Sequence, residues 1–174
     1  RAWHAGASFW AGETDLNTSS IGIEIAHPGH RDPRPFPPAQ IAAVIDLSRD
    51  ICARNAIPPA RVLAHSDIAP RRKIDPGEFF PWETLAQNGV GQFFAAAPPD
   101  ATPRWAPGDA SAEVATLQQQ LASFGFRIEQ TGVYDDDTAV SVTAFQRHHR
   151  PARVDGLADA STCDVLTRLL ELQS

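Results

Sequence analysis

One stretch limits this chain more than any other: His65-Ser66-Asp67-Ile68-Ala69-Pro70-Arg71-Arg72-Lys73-Ile74-Asp75-Pro76-Gly77. Pro70 and the Pro76-Gly77 pair exclude a helix running through it. Val62-Leu63-Ala64 reads as a short buried strand, so His65 is expected at a strand end and Asp75 on a returning turn. That arrangement lets an imidazole and a carboxylate converge. Zinc with an open coordination position takes three such N/O ligands and a water. Lys73 is the only lysine in the chain. Its compact ammonium suits stabilisation of an oxyanion beside a metal. A solvated loop with an Asp-Pro-Gly turn and an incidental histidine would carry the same residues.

Composition narrows the classes. The 174 residues allow one or two domains, 43% apolar content suffices for a core, and the net charge of -6 argues against nucleic-acid binding. No apolar run reaches membrane-spanning length. The start at Arg1-Ala2-Trp3-His4, without Met, reads as the middle of a strand, and a processed or truncated chain is expected. Cys52 and Cys163 fall on separate apolar helical faces, as small core residues rather than a disulfide or a nucleophile.

Upstream, residues 1–19 are loop-like, with Trp3, His4 and Trp10 as candidate groove or core-capping residues. Ile21-Gly22-Ile23-Glu24-Ile25-Ala26 alternates with strict period two, as a strand does. Glu24 then shares its face with Gly22 and Ala26, which leaves room beside it. Such an acid could act as general base with a pKa raised by partial burial, or be an ordinary solvent-facing charge. His27 and His30 flank a Pro-Gly turn and read as loop residues. Gln40 to Asn55 has the spacing of an amphipathic helix covering a sheet. Phe79, Phe80 and Trp82 are expected to anchor the far end of the 65–77 loop, with a short helix from Pro81 to Leu85.

From Ala95 to Asp109 the composition turns to Pro and Ala, as in a semi-stiff linker, with Trp105 able to pin it to one side. Beyond it, three apolar stripes predict three helices. Gly132, Asp135, Thr138 and Val142 recur as Gly156, Asp159, Thr162 and Leu166 at identical spacing, a glycine turn followed by an Asp N-cap. His148 and His149 are adjacent, expected about 100° apart on a helix and at the rim or in packing. The reading is therefore α/β: a mixed central sheet flanked by helices over 1–94, a linker over 95–109, and a small three-helix domain over 110–174.

RAWHAG, the SIGIE strand and HSDIAPRRKIDPG resemble the zinc-dependent N-acetylmuramoyl-L-alanine amidases and the peptidoglycan recognition proteins that share their fold. QQQLASFGF, GVYDDDTAVSVTAFQ and DGLADASTC resemble the three-helix peptidoglycan-binding domain. The resemblance implies that His65 and Asp75 are two zinc ligands, Glu24 the catalytic glutamate and Lys73 the transition-state lysine. Trp3, His4 and Asn17 fall where that family binds substrate. The family's remaining zinc histidine is expected upstream of Arg1, with the N-terminal strands, in a preceding segment or a separate associated fragment. The implied activity is hydrolysis of the amide between N-acetylmuramic acid and L-alanine in peptidoglycan or muropeptides. The implied place is the cell envelope, periplasmic in a Gram-negative cell, with a lipid anchor possible on the upstream segment. Two rivals stay open: a non-catalytic peptidoglycan-binding protein, and a glycan-cleaving hydrolase pairing Glu24 with Asp15 or Asp67.

Overall fold

A computed structural model describes residues 2–31 and 34–173; Arg1, Asp32, Pro33 and Ser174, which fall in stretches interpreted above, lie outside the described residues. The helices are α1 (Leu16–Ser19), α2 (Pro38–Asn55), α3 (His65–Ile68), α4 (Trp82–Gln87), α5 (Ala112–Phe124), α6 (Asp136–His149) and α7 (Ala160–Glu171). Short 3-10 turns occupy Gly29–Arg31 and Pro59–Arg61.

The expected mixed sheet does not appear. Among the described residues there are only isolated bridges, such as Trp10 with Glu13 and Trp105 with Ala158. Among the described residues, 21–26 make no backbone hydrogen bond to a neighbouring strand, and Ile21 and Ile23 are exposed. Alternation specifies which face is apolar, but a strand exists only where a partner completes the ladder. Val62-Leu63-Ala64 is not a strand either. It links the Pro59–Arg61 turn directly to α3.

α2 begins at Pro38, where the missing N–H of proline costs nothing, and ends at Ala56 in the left-handed conformation. It buries Ile41, Val44 and Ile45 against Phe36, Ala64, Phe80, Trp82, Leu85 and Val90. Phe80 and Trp82 thus anchor the loop as expected, while Phe79 stays exposed.

The C-terminal bundle bears out the repeat. The Asp135 carboxylate accepts from the backbone N–H and hydroxyl of Thr138, and Asp159 does the same for Thr162. Each unit also contains a fully buried glutamine that pattern reading did not single out. Gln118 accepts from Gly132 N–H and donates to Val133 O; Gln146 accepts from Gly156 N–H and donates to Leu157 O. Each amide thereby satisfies the backbone of a glycine turn that the bundle encloses.

The segment 95–109 is docked rather than loose. Trp105 and Ala158 exchange backbone hydrogen bonds, the Asp100 carboxylate accepts from Ala160 N–H, and the Ser161 hydroxyl donates to Ala97 O. The N-terminal segment also enters the bundle. Ala5, Trp10 and Leu16 belong to the same apolar cluster as Val114, Leu121, Phe145 and Leu166. Trp10 is 2% exposed and meets Phe124 and Phe126 edge-on at 5.7 and 5.1 Å. Its ring lies over Gly125, where an added Cβ would come within 2.4 Å of it. Trp10 therefore caps the core rather than walling a groove.

Candidate functional site

His65 is the first residue of α3, a single turn that stops before Pro70. Its approach is set by Asp67, whose carboxylate accepts from Ala64 N–H at 2.7 Å. This is half of a capping box. Asp75 returns to the same place because Ser66 N–H donates to Asp75 O at 3.1 Å. The side chains then meet: His65 Nδ1 lies 2.9 Å from Asp75 Oδ2, with the imidazole 20% and the carboxylate 57% exposed.

The other imidazole nitrogen determines what that contact means. His65 Nε2 is 3.3 Å from Ala5 O. A carbonyl only accepts, so the tautomer that uses this contact carries its hydrogen on Nε2. In that tautomer the Nδ1 lone pair and the carboxylate oxygen face each other across 2.9 Å, an arrangement in which both can be donors to one cation. Two donors on a tetrahedral zinc at ordinary bond lengths stand about 3.3 Å apart. A small opening of the observed pair reaches that spacing. The donor set fits zinc as one edge of a site. Among the described residues no cluster of three or more His, Cys, Asp or Glu completes it.

Arg72 was not singled out by pattern, yet it ties the two recognisable stretches together. Its guanidinium donates to Ala5 O and Ala7 O, each at 2.9 Å. Phe9 N–H donates to Ile68 O. The carbonyl that orients His65 is therefore itself held by the loop. His30 pairs with Glu78 at 2.8 Å, three residues beyond Asp75, and so braces the turn rather than reaching the His65–Asp75 pair.

Glu24 is exposed, the solvent-facing of the two placements its pattern allowed. The room foreseen over Gly22 is taken by the His4 ring, since a Cβ there would lie 2.7 Å from His4 Cδ2. Neither Glu24 nor the half-buried Lys73 makes a side-chain hydrogen bond or ion pair with the His65–Asp75 pair among the described contacts.

Trp3 is 81% exposed. His4 and Asn17 line a cleft of about 430 Å³ with Ala2, Thr18, Ser20, Ile21 and Gly22. The Asn17 side chain is committed to backbone: its oxygen accepts from the N–H groups of His4, Ala5 and Gly6, and its amide donates to Gly6 O. It shapes the cleft and the Ala5 turn.

Asp67 is buried and bonded to His148, 2.7 Å away, which leaves it no part in a sugar-cleaving carboxylate pair. His148 and His149 are both buried, and their rings stack at 3.8 Å instead of diverging. Desolvation, reinforced by the neighbouring His148, holds His149 well below the usual histidine range. Burial pushes the Cys163 thiol up to about 11, consistent with a packing residue.

Residues 1–78 match the N-acetylmuramoyl-L-alanine amidase family, and residues 110–166 match the putative peptidoglycan binding domain. N-acetylmuramoyl-L-alanine amidase AmiD of Escherichia coli is 41% identical over 98% of this chain and 63% of its own length. A putative N-acetylmuramoyl-L-alanine amidase of Rickettsia conorii is 30% identical, over 83% of this chain and 56% of its length. The chain thus spans about three fifths of these relatives. The solved AmiD complex with anhydro-N-acetylmuramic acid-L-Ala-D-gamma-Glu-L-Lys superposes with a TM-score of 0.79 at 42% identity, covering 98% of this chain and 68% of that one. AmpDh3 of Pseudomonas aeruginosa, in complex with anhydromuramic pentapeptide, gives 0.81 at 34% identity, covering 99% and 70%.

An amidase-family segment followed by a segment of peptidoglycan-binding type defines the class of this chain. The chain belongs to the N-acetylmuramoyl-L-alanine amidase family.

Proposed function

We propose that this chain works in a zinc amidase that hydrolyses the amide between the lactyl group of N-acetylmuramic acid and L-alanine, in peptidoglycan or in muropeptides. The observation that carries the reading is the His65–Asp75 pair, 2.9 Å apart, with Nε2 of the histidine already committed to Ala5 O. His65 and Asp75 would hold the zinc with a further ligand outside the described residues. When bound, the metal supplies an acidified water and a polarised carbonyl.

The chain's own residues do the remaining work. Glu24 takes the proton of the attacking water as the C–O bond forms. Lys73 places its charge near the oxygen of the tetrahedral intermediate. As the C–N bond breaks, Glu24 returns the proton to the departing alanine amine. The products are a lactyl carboxylate and a free stem peptide. The His4 cleft and exposed Trp3 offer the surface for the muramyl-peptide, and Asn17 keeps the cleft's backbone in place. We assign the protein to the cell envelope, on the periplasmic side of a Gram-negative cell, because the second module is of a wall-binding type. No helix among the described residues is long and apolar enough to cross a membrane.

The exposure of Glu24 and its lack of a bond to the metal pair favour one other reading, a protein that binds peptidoglycan without cutting it. Mass spectrometry of digested muropeptides separates the two. An amidase releases the free stem peptide and leaves the glycan intact. Glu24→Ala is expected to lower that release by about 10²–10⁴-fold with zinc retained. Near-wild-type release would remove Glu24 from the mechanism.

A further inference from the structure

A wall-binding module is usually thought of as a tethered anchor. Here its contacts run toward the metal-ligand loop. We propose that His148 of α6 is a positioning residue for the amidase site: through Asp67 it fixes the start of α3, and so the aim of His65. This inference rests on the zinc reading of His65.

The chain of contacts is short. His148 Nδ1 meets Asp67 Oδ2 at 2.7 Å, and the two side chains are 2% and 1% exposed. The same carboxylate oxygen accepts from Ala64 N–H, the residue immediately before His65. Asp67 therefore joins the entry of α3 to a partner on another module. The His148 ring cannot swing away, because Trp82 stacks on it at 3.8 Å and His149 also stacks at 3.8 Å. A second tie lies at the loop's middle, where Arg71 donates to Asp137 and to Asp136 at the start of α6.

The two ties differ in weight. Arg71, Asp136 and Asp137 are exposed, so their pairing is screened and weak. The His148–Asp67 bond is dry and bridges 81 positions of sequence. Losing the His148 donor leaves the buried Asp67 oxygen with the Ala64 amide alone. The carboxylate then gains by turning toward water, which uncaps α3 and frees His65 to rotate away from Asp75. Groups that orient metal ligands typically change affinity by about 10–100-fold when removed.

The test compares three variants of the whole protein. His148→Leu keeps the volume and removes the donor. His148→Asn restores an N–H near the Nδ1 position. Leu169→Ala cuts the bundle core on α7 without touching the His148–Asp67 bond, and serves as a control for stability loss alone. Zinc affinity is measured by competition with a chromophoric chelator, and amide hydrogen exchange is followed at residues 64–67.

His148→Leu is expected to weaken zinc by about tenfold or more and to speed exchange at 64–67. His148→Asn should recover most of both. Leu169→Ala should keep zinc affinity near wild type despite a lowered melting temperature, and should speed exchange at 64–67 only as far as its loss of global stability requires. The proposal is overturned if His148→Leu leaves exchange at 64–67 unchanged, or if Leu169→Ala reproduces its effects. A wild-type protein that binds no zinc defeats the amidase reading instead, and the exchange arm still decides whether His148 fixes α3. A module acting only as an anchor would lose sacculus binding in these variants and keep its zinc affinity.

Discussion

Removing the Trp10 indole should destabilise a bundle that lies a hundred residues further along the chain. The ring is 2% exposed and sits among Phe124, Phe126 and the bare backbone of Gly125. A buried tryptophan removes about 150–250 Å² from water, which at about 25 cal/mol per Å² is about 4–6 kcal/mol. Alanine keeps the Cβ, and a denatured chain already buries part of this surface, which brings the figure to about 3–5 kcal/mol. For a protein of this length, that corresponds to a drop of about 10 °C in melting temperature. Urea unfolding of Trp10→Ala followed by far-UV circular dichroism measures it, since fluorescence would change trivially. Hydrogen exchange in α5 and α7 should accelerate together with the N-terminal segment. A loss below about 1 kcal/mol, or faster exchange confined to residues 5–19, would refute the claim that the modules share one core.

Acid should act on the bundle through its helix caps. Burial raises the Asp159 carboxyl, but the Thr162 hydrogen bonds and the Arg150 and Arg153 charges outweigh it and hold the group below the ordinary range. Asp135 behaves likewise through Thr138 and Thr131. Both folded-state values lie below the unfolded ones, so their stabilisation is complete above the unfolded carboxyl value, about pH 4, and is lost as pH falls through the folded values. Asp159→Asn should flatten that acid limb in a pH series of urea midpoints. It should also cost more than Asp135→Asn, about 3–5 kcal/mol, because it strands the fully buried Arg150; equal costs would contradict the burial argument.

How much of this was legible in sequence depended on range. The caps at Asp135 and Asp159 are local, so the Gly-Asp-Thr spacing revealed them. The apolar periods of α2 and the bundle helices were equally direct. Residues 21–26 show the limit of period two, since pairing is not written in the strand itself. Gln118 and Gln146 carry no local mark of burial; the enclosed glycine turns they serve make them core. His148 and Asp67 are 81 positions apart, and nothing in either local stretch pointed to the other. At the candidate site, the loop chemistry placed His65 beside Asp75, because prolines and a turn bring them back over a short distance. The roles of Ala5 O and Arg72 could not be read, since a backbone carbonyl leaves no mark on composition. Glu24 had a readable face but not a readable environment.

The central claim is that His65 and Asp75 share one cation. Zinc titration of the wild-type protein, His65→Ala and Asp75→Ala tests it most directly, with Glu24→Ala as a variant outside the ligand set. The account predicts one tightly held zinc in wild type and Glu24→Ala, and affinity weaker by at least about 10²-fold in each ligand variant. Unchanged zinc affinity in Asp75→Ala would mean that the 2.9 Å contact is an ordinary imidazolium–carboxylate bond and that the metal, if any, sits elsewhere.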